Sequence, residues 1–235
     1  MTPRVTVITG ASRGVGAACA RRLAADGHRV ALLARSSCEP VAAEVRAAGG
    51  EALALVADVA RPESVQAAFA AVRAAWGPVD VLVNNAARLE PGPFAALTPE
   101  RWRALWEVNV SGALRCSQAA LEDMRPRGRG VIVNVASVGG VSGIPKLPGL
   151  VGYATTKGAL IAFSEALAAE VAPAGVRVVC VSPGSVSTAM LAEAAPEAEG
   201  MPPAALADVI AFLVSDAARA VHQANLVVWG PPGAR

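Results

Sequence analysis

Short, nearly uninterrupted apolar runs alternate along this chain with alanine-rich stretches that carry helical spacing. The runs are VTVI (5–8), RVALL (29–33), ALALV (52–56), VDVLV (79–83), VIVNV (131–135), VRVVCV (176–181) and NLVVW (225–229). Each has the length and the β-branched content of a buried strand. Between them, segments 17–25, 63–75, 100–124, 153–171 and 203–217 repeat apolar residues three and four apart, the signature of a helix with one buried face. Strands apolar on both faces, each followed by a helix, predict a Rossmann-like doubly wound α/β fold, a parallel sheet of about seven strands with helices on both sides. The punctuation agrees: Gly27 follows the first helix, Asp58-Val59 the third strand, and Thr98-Pro99 opens a helix. No repeat, linker or shift of composition divides residues 1–235, which are expected to form a single domain. The least regular stretch, 184–204 (GSVSTAMLAEAAPEAEGMPPA), reads as a short flap or substrate loop, with an ordinary surface loop as the alternative.

Composition narrows the classes of function. With 21 basic and 19 acidic residues the net charge is +2, so no surplus field draws nucleic acid or an acidic membrane. Although 54% of residues are hydrophobic, much of that is alanine, and no run is long and apolar enough for a membrane span. MTPR leads directly into the first strand without a signal-peptide pattern, and a cytoplasmic location is the expectation. Cys19, Cys38, Cys116 and Cys180 are scattered, and His28 and His222 are the only histidines, so no metal site is expected.

The first strand runs into TGASRGVG (9–16), which admits two chemistries. Gly10-Ala11-Ser12-Arg13-Gly14 fits G-x-S-x-G, the turn that exposes a hydrolase's serine. That reading makes His222 the late base, yet no acid is placed to orient it and the serine follows the first strand rather than a central one. The other reading is a glycine turn that delivers backbone amides and a helix N-terminus to a phosphate. Strand, glycine turn and helix start occur here in the required order, which favours the phosphate. The spacing, G-x-x-x-G-x-G, differs from the dinucleotide fingerprint G-x-G-x-x-G.

TGASRGVG resembles the TGxxxGxG cofactor motif of the short-chain dehydrogenase/reductase family, and further landmarks follow in order. They are Asp58, placed like the acid that contacts adenine; Asn84-Asn85-Ala86-Ala87, similar to NNAG; Asn109 in WEVNVSG; Ser137 in VNVAS; Tyr153 and Lys157 in YATTK; and Pro183-Gly184 in VVCVSPG. The resemblance implies NADP(H)- or NAD(H)-dependent hydride transfer between a carbonyl and an alcohol. By it, Tyr153 is the general acid in reduction and Lys157 lowers the tyrosine pKa and holds the cofactor ribose. Ser137 bonds the substrate oxygen, and Asn109 keeps a water that links Lys157 to solvent. Implied cofactor contacts are Gly10, Ser12, Arg13, Gly14, Val15, Gly16, Arg35, Asp58, Val59, Asn85, Ala86, Lys157, Pro183, Gly184, Val186 and Thr188. The resemblance also implies a homodimer or homotetramer, with segments 100–124 and 153–172 as the helices that join subunits; Trp102 and Trp106 share one face of the first, a stripe that reads as core as readily as interface.

The residues support parts of this independently. Tyrosine, with a free pKa of about 10, needs tuning to exchange a proton at neutral pH. Lys157 lies one helical turn after Tyr153, so an ammonium can stabilise the phenolate. The second strand ends in Ala34-Arg35 rather than an acid, and Arg13 lies in the glycine turn; two guanidinium groups favour a 2′-phosphate, hence NADP(H), with a solvated strand-end charge as the alternative for Arg35.

Some features depart from the family. The segment VGGVSGIPKLPGLVG between Ser137 and Tyr153 is longer than expected and includes Ser142, a second serine near the site. The C-terminal VHQANLVVWGPPGAR is atypical, and Trp229-Gly230-Pro231 reads either as an apolar wall near the pocket or a neighbouring subunit, or as a buried sheet end. Leu89, Val138, Leu147, Leu150 and Met190 are candidate pocket residues, and Lys146 and Arg88 candidate carboxylate ligands, though a solvated role fits both. The resulting expectation is a reductase of a ketone or aldehyde; the alternative is a cofactor-binding regulatory or scaffolding protein of the same fold.

Overall fold

The computed structural model describes residues 3–194 and 197–230. Chain order runs β1 (Val5–Thr9), α1 (Gly14–Ala25), β2 (Arg29–Ala34), α2 (Glu39–Ala47), β3 (Glu51–Val56), α3 (Pro62–Trp76) and β4 (Val81–Asn84). It continues through α4 (Pro99–Trp106), α5 (Gly112–Met124), β5 (Gly130–Val135), α6 (Val151–Val171), β6 (Val176–Pro183), α7 (Ala189–Ala194), α8 (Pro203–Val214) and β7 (Ala224–Val228). The strands form one seven-stranded sheet in the order β3-β2-β1-β4-β5-β6-β7, every pairing parallel. This is the doubly wound Rossmann-like architecture that the alternation of apolar runs and amphipathic stretches implies.

Alternate residues of each strand feed opposite faces, and that is why the strands read as continuous apolar runs. Ile8, Leu32 and Val133 join Leu23 of α1 and Ile210 of α8 in one core layer. Val7, Leu82 and Ile132 join Phe69 of α3 and Met124 of α5 in the other. One polar thread crosses the sheet: Asn84 donates to Asn134 (2.8 Å), which donates to Ser164 (2.8 Å).

Three elements differ from the expectation. The single helix expected over 100–124 is interrupted by a wide π-helical turn at Glu107–Ser111, where the buried Asn109 amide bonds outside the helix. The apolar spacing does not mark helix α2, which is short, carries Pro40 in its first turn, and buries only Val41, Ala42 and Val45. Within 184–204 the chain is more ordered than a plain loop: Val186 pairs with Met201 and α7 follows Thr188. Residues 195 and 196 of that loop, and Pro231 of the C-terminal end, lie outside the described residues. Among the described residues, no helix is long and apolar enough to cross a membrane.

Candidate cofactor and catalytic site

Strand order reverses between β1 and β4, and a doubly wound sheet opens its crevice at the C-terminal strand ends at such a point. The TGASRGVG turn lies on this crevice. Gly10 has φ +67°, open to glycine at little cost, and a Cβ there would lie 2.8 Å from the Ala86 Cα. A Cβ on Gly16 would lie 2.4 Å from the Gly10 carbonyl oxygen, so the start of α1 packs directly on the turn. Asn85 Nδ2 donates to the carbonyls of Thr9 (2.9 Å) and Gly10 (3.1 Å), while the amides of Asn85 and Ala86 both donate to Thr9 Oγ1 (3.0 Å each). Asn85-Ala86 thus fastens the end of β4 to the glycine turn. No side chain caps α1, whose first-turn amides and positive dipole end are suited to a phosphate.

The neighbouring turns converge on the same edge. Ser36 donates to Ser12 (3.0 Å), joining the turns after β1 and β2 that carry Arg13 and Arg35. Both arginines are exposed, and neither forms an ion pair within the described residues, whereas most other arginines do. Asp58 accepts from the Ala60 amide (3.0 Å), and its own amide donates to Ser64 (3.0 Å), which shapes the Asp58-Val59 turn after β3. On the other side, Thr188 reaches over Gly14, its methyl 3.3 Å from where a Cβ would be. The end of β6 at Pro183 and the chain after it, with Gly184 and Val186, therefore line the opposite side, and Val15 packs beneath on the core.

Tyr153 and Lys157 project from the first two turns of α6, and the Lys157 ammonium lies 5.6 Å from the tyrosine ring centre. Lys157 is fully buried and donates to the Val135 carbonyl (2.6 Å). Burial pushes its pKa down to about 8 and that of Tyr153 up to about 12, with the Ser137 hydroxyl pulling the tyrosine the other way. Ser137 starts the short turn after β5 and accepts from the Gly139 amide (3.1 Å). That turn packs on α6 beside Lys157. Asn109 accepts from the Arg88 amide (2.7 Å), donates to the Arg88 carbonyl (3.0 Å) and donates to Thr156 (2.9 Å). Its buried amide joins the segment after β4, the π-helical turn and α6. Ser142 is exposed in the added loop, leaving Ser137 beside the tyrosine.

Other expectations are revised. Arg88, its side chain 38% exposed, pairs with Glu90 (2.8 Å), and the exposed Lys146 ammonium donates to the Val138 (3.5 Å) and Val141 carbonyls, so both are tied to the chain at the surface. A shallow groove is lined by Phe94, Leu97, Val151 and Gly152 with Glu90 and Arg101. Trp229 lies against Gly184 and is 47% exposed, so it is not a buried sheet end. Sequence reasoning missed Thr9 and Thr156 as fasteners. Thr9 belongs to the quoted motif, whereas a threonine inside YATTK carries no signal of the partner it meets. The hydrolase reading fails on geometry: Ser12 lies at the C-terminal strand edge, while His222 precedes β7 at the opposite edge and accepts from the Val178 amide (3.3 Å).

The family model for short chain dehydrogenases matches residues 4–199. The short-chain reductase protein NovJ of Streptomyces niveus is 40% identical over 193 residues, covering 81% of this chain and 72% of that protein. The 3-oxoacyl-(acyl-carrier-protein) reductase of Synechocystis sp. is 35% identical over 231 residues, 94% of this chain and 92% of that protein. Among solved structures, an actinorhodin polyketide ketoreductase with NADPH superposes with a TM-score of 0.90 at 35% identity, covering 97% of this chain and 96% of that one. A 3-ketoacyl-(acyl-carrier-protein) reductase from Brucella melitensis complexed with NADH gives 0.88 at 33% identity, with 97% of each chain covered. With the sheet order, the glycine turn and these matches in agreement, the chain belongs to the short-chain dehydrogenase/reductase family.

Proposed function

We propose that this protein is an NADPH-dependent ketoreductase that reduces a ketone or aldehyde to an alcohol, reversibly, with Tyr153 exchanging the proton. The observation that carries this reading is that Ser137, Tyr153 and Lys157 lie together beside the crevice that the glycine turn borders, with Asn109 bonded to Thr156 on the same helix as the tyrosine and lysine. Relatives named as ketoacyl reductases and a ketoreductase solved with NADPH support it.

In this reading, the uncapped start of α1 with Gly10, Ser12, Gly14, Val15 and Gly16 takes the pyrophosphate, while Arg13 and Arg35 hold the 2′-phosphate. Asp58 and Val59 meet the adenine. Asn85 and Ala86 border the cofactor path, and Pro183, Gly184, Val186 and Thr188 wall its far end. Bound reduced nicotinamide supplies the hydride. Ser137 donates a hydrogen bond to the substrate oxygen, and Tyr153 holds a proton at Oη and delivers it to that oxygen. Lys157 steadies the phenolate left behind and bonds the cofactor ribose, and Asn109 anchors the water that returns the proton. NADH is bound in one structural relative, so the preference for NADPH rests on Arg13 and Arg35, which form no ion pair among the described residues, and on neutral Ala34 at the end of β2. We also propose a homo-oligomer, supported by the stacked pair Trp102 and Trp106 (6.4 Å), of which Trp106 is 36% exposed. A monomeric mass by light scattering would overturn that assembly.

Titration of the purified protein with NADPH and then NADH, read by nicotinamide fluorescence and followed by a panel of ketones and aldehydes, tests the activity. Selective NADPH binding with turnover is the expected result. Absence of binding overturns the reading, and saturable binding without turnover on any carbonyl would leave a cofactor-binding protein without reductase activity.

A further inference from the structure

One guanidinium, that of Arg115, spans two parts of the site that are distant in sequence. Its Nη1 donates to the Val59 carbonyl (3.3 Å) and to the Glu107 carbonyl (3.5 Å), and its Nη2 donates to the Glu107 carboxylate (2.6 Å). The other oxygen of that carboxylate accepts from Ser111 (3.3 Å), so the anchor is the π-helical turn that also carries Asn109. Gly112, three residues before Arg115 on α5, presses on the same point: a Cβ there would lie 2.8 Å from Val59 Cγ2. The Arg115 side chain is 21% exposed and that of Glu107 45%, so the guanidinium lies mostly inside while the carboxylate faces solvent. Arginine suits the task because its planar fork reaches two acceptors at once, whereas lysine offers a single point charge.

We propose that Arg115 is a positioning residue for the adenine end of the cofactor, holding the Asp58-Val59 turn in place by bracing it against the π-helical turn. This rests on the cofactor reading above. Arg115 touches neither cofactor nor substrate; it acts through the backbone of Val59, and the adenine half should feel its loss more than the nicotinamide half.

The test compares the wild-type chain with Arg115→Met and Arg115→Lys. Each is titrated with NADPH, with adenosine 2′,5′-bisphosphate as the adenine-side probe, and with reduced nicotinamide mononucleotide as the control for the other half. Arg115→Met is expected to weaken NADPH and the bisphosphate about tenfold, the size of one hydrogen bond to a charged group, and to leave the mononucleotide within about twofold. The KM for NADPH should rise by more than kcat falls, and Arg115→Lys should recover part of the loss; that variant reads the same split should the methionine variant not fold. Unchanged bisphosphate binding overturns the proposal, and so does an equal loss for both half-cofactors, the mark of general loosening. A wild-type chain that binds no NADPH overturns the functional reading itself, which is seen before any variant is compared.

Discussion

Tyr153 and Lys157 are both driven toward their neutral forms by burial, yet the consequences for the two directions of reaction differ. With its pKa near 12, the tyrosine keeps its proton through the neutral range, as the proposed role of acid in reduction requires. In that reading oxidation needs the deprotonated tyrosine, while both directions use the Lys157 ammonium, so a pH–rate profile should show reduction weakening as pH rises through about 8, where burial lets the lysine lose its proton. Tyr153→Phe should lower turnover by about a hundred- to ten-thousand-fold and leave NADPH affinity within about threefold; a fluorescence titration beside a steady-state assay separates the two. At the other end of the proposed cofactor, Arg35→Ala or Arg13→Ala should each weaken NADPH about tenfold without changing NADH, which narrows the preference between the two in the same titration. The residues for which these roles are proposed were legible in the sequence because YATTK, VNVAS and TGASRGVG are contiguous motifs. Thr156, Thr9 and Arg115 were not, since their partners Asn109, Asn85 and Val59 are brought to them by folding.

The glycine turn and the π-helical turn show how much of the site is made by elements approaching one another. Gly16 leaves no room for a side chain, with the Gly10 carbonyl 2.4 Å and Asn85 Nδ2 2.7 Å from a would-be Cβ. Gly16→Ala should therefore destabilise the fold by about 1–3 kcal/mol, measured by urea unfolding, and weaken NADPH binding beyond that of any surface substitution on α1. An unchanged unfolding midpoint would mean that α1 moves away from the turn freely. Apolar spacing over 100–124 correctly marks helix, but it carries no trace of the break at Glu107–Ser111. That break answers to the buried Asn109 amide, whose bonds run to the backbone of Arg88 rather than along the helix. Helix α2 was illegible for the opposite reason, a nine-residue segment with too few buried positions to establish a period.

Across the whole molecule, burial sets the response to alkali. All four cysteines are free and buried, with pKa values raised from 9.0 to about 12 for Cys19 and Cys116 and to about 11 for Cys38 and Cys180. A thiol held protonated in the fold contributes stability that is complete below pH 9 and is lost as pH rises toward these values. Lys157 works in the other sense between about 8 and 10.5, where the unfolded chain holds the proton that the fold has released. Stability should thus decline above pH 9 and fall more steeply beyond 10.5, where the lysine no longer opposes the thiols. Cys19→Ala and Cys116→Ala should flatten that slope, read as the unfolding midpoint against pH; an unaltered slope would place the loss elsewhere. The sequence alone determined the α/β class, the number of strands, the glycine turn and the family, because apolar period and contiguous motifs are local properties of the chain. Only the tertiary structure decided that Ser12 and His222 lie at opposite edges of the sheet, that Arg88 and Lys146 are tied to the chain, and that Arg115 braces Val59. Those facts depend on which strand ends meet, and strand order is settled by how the whole core packs.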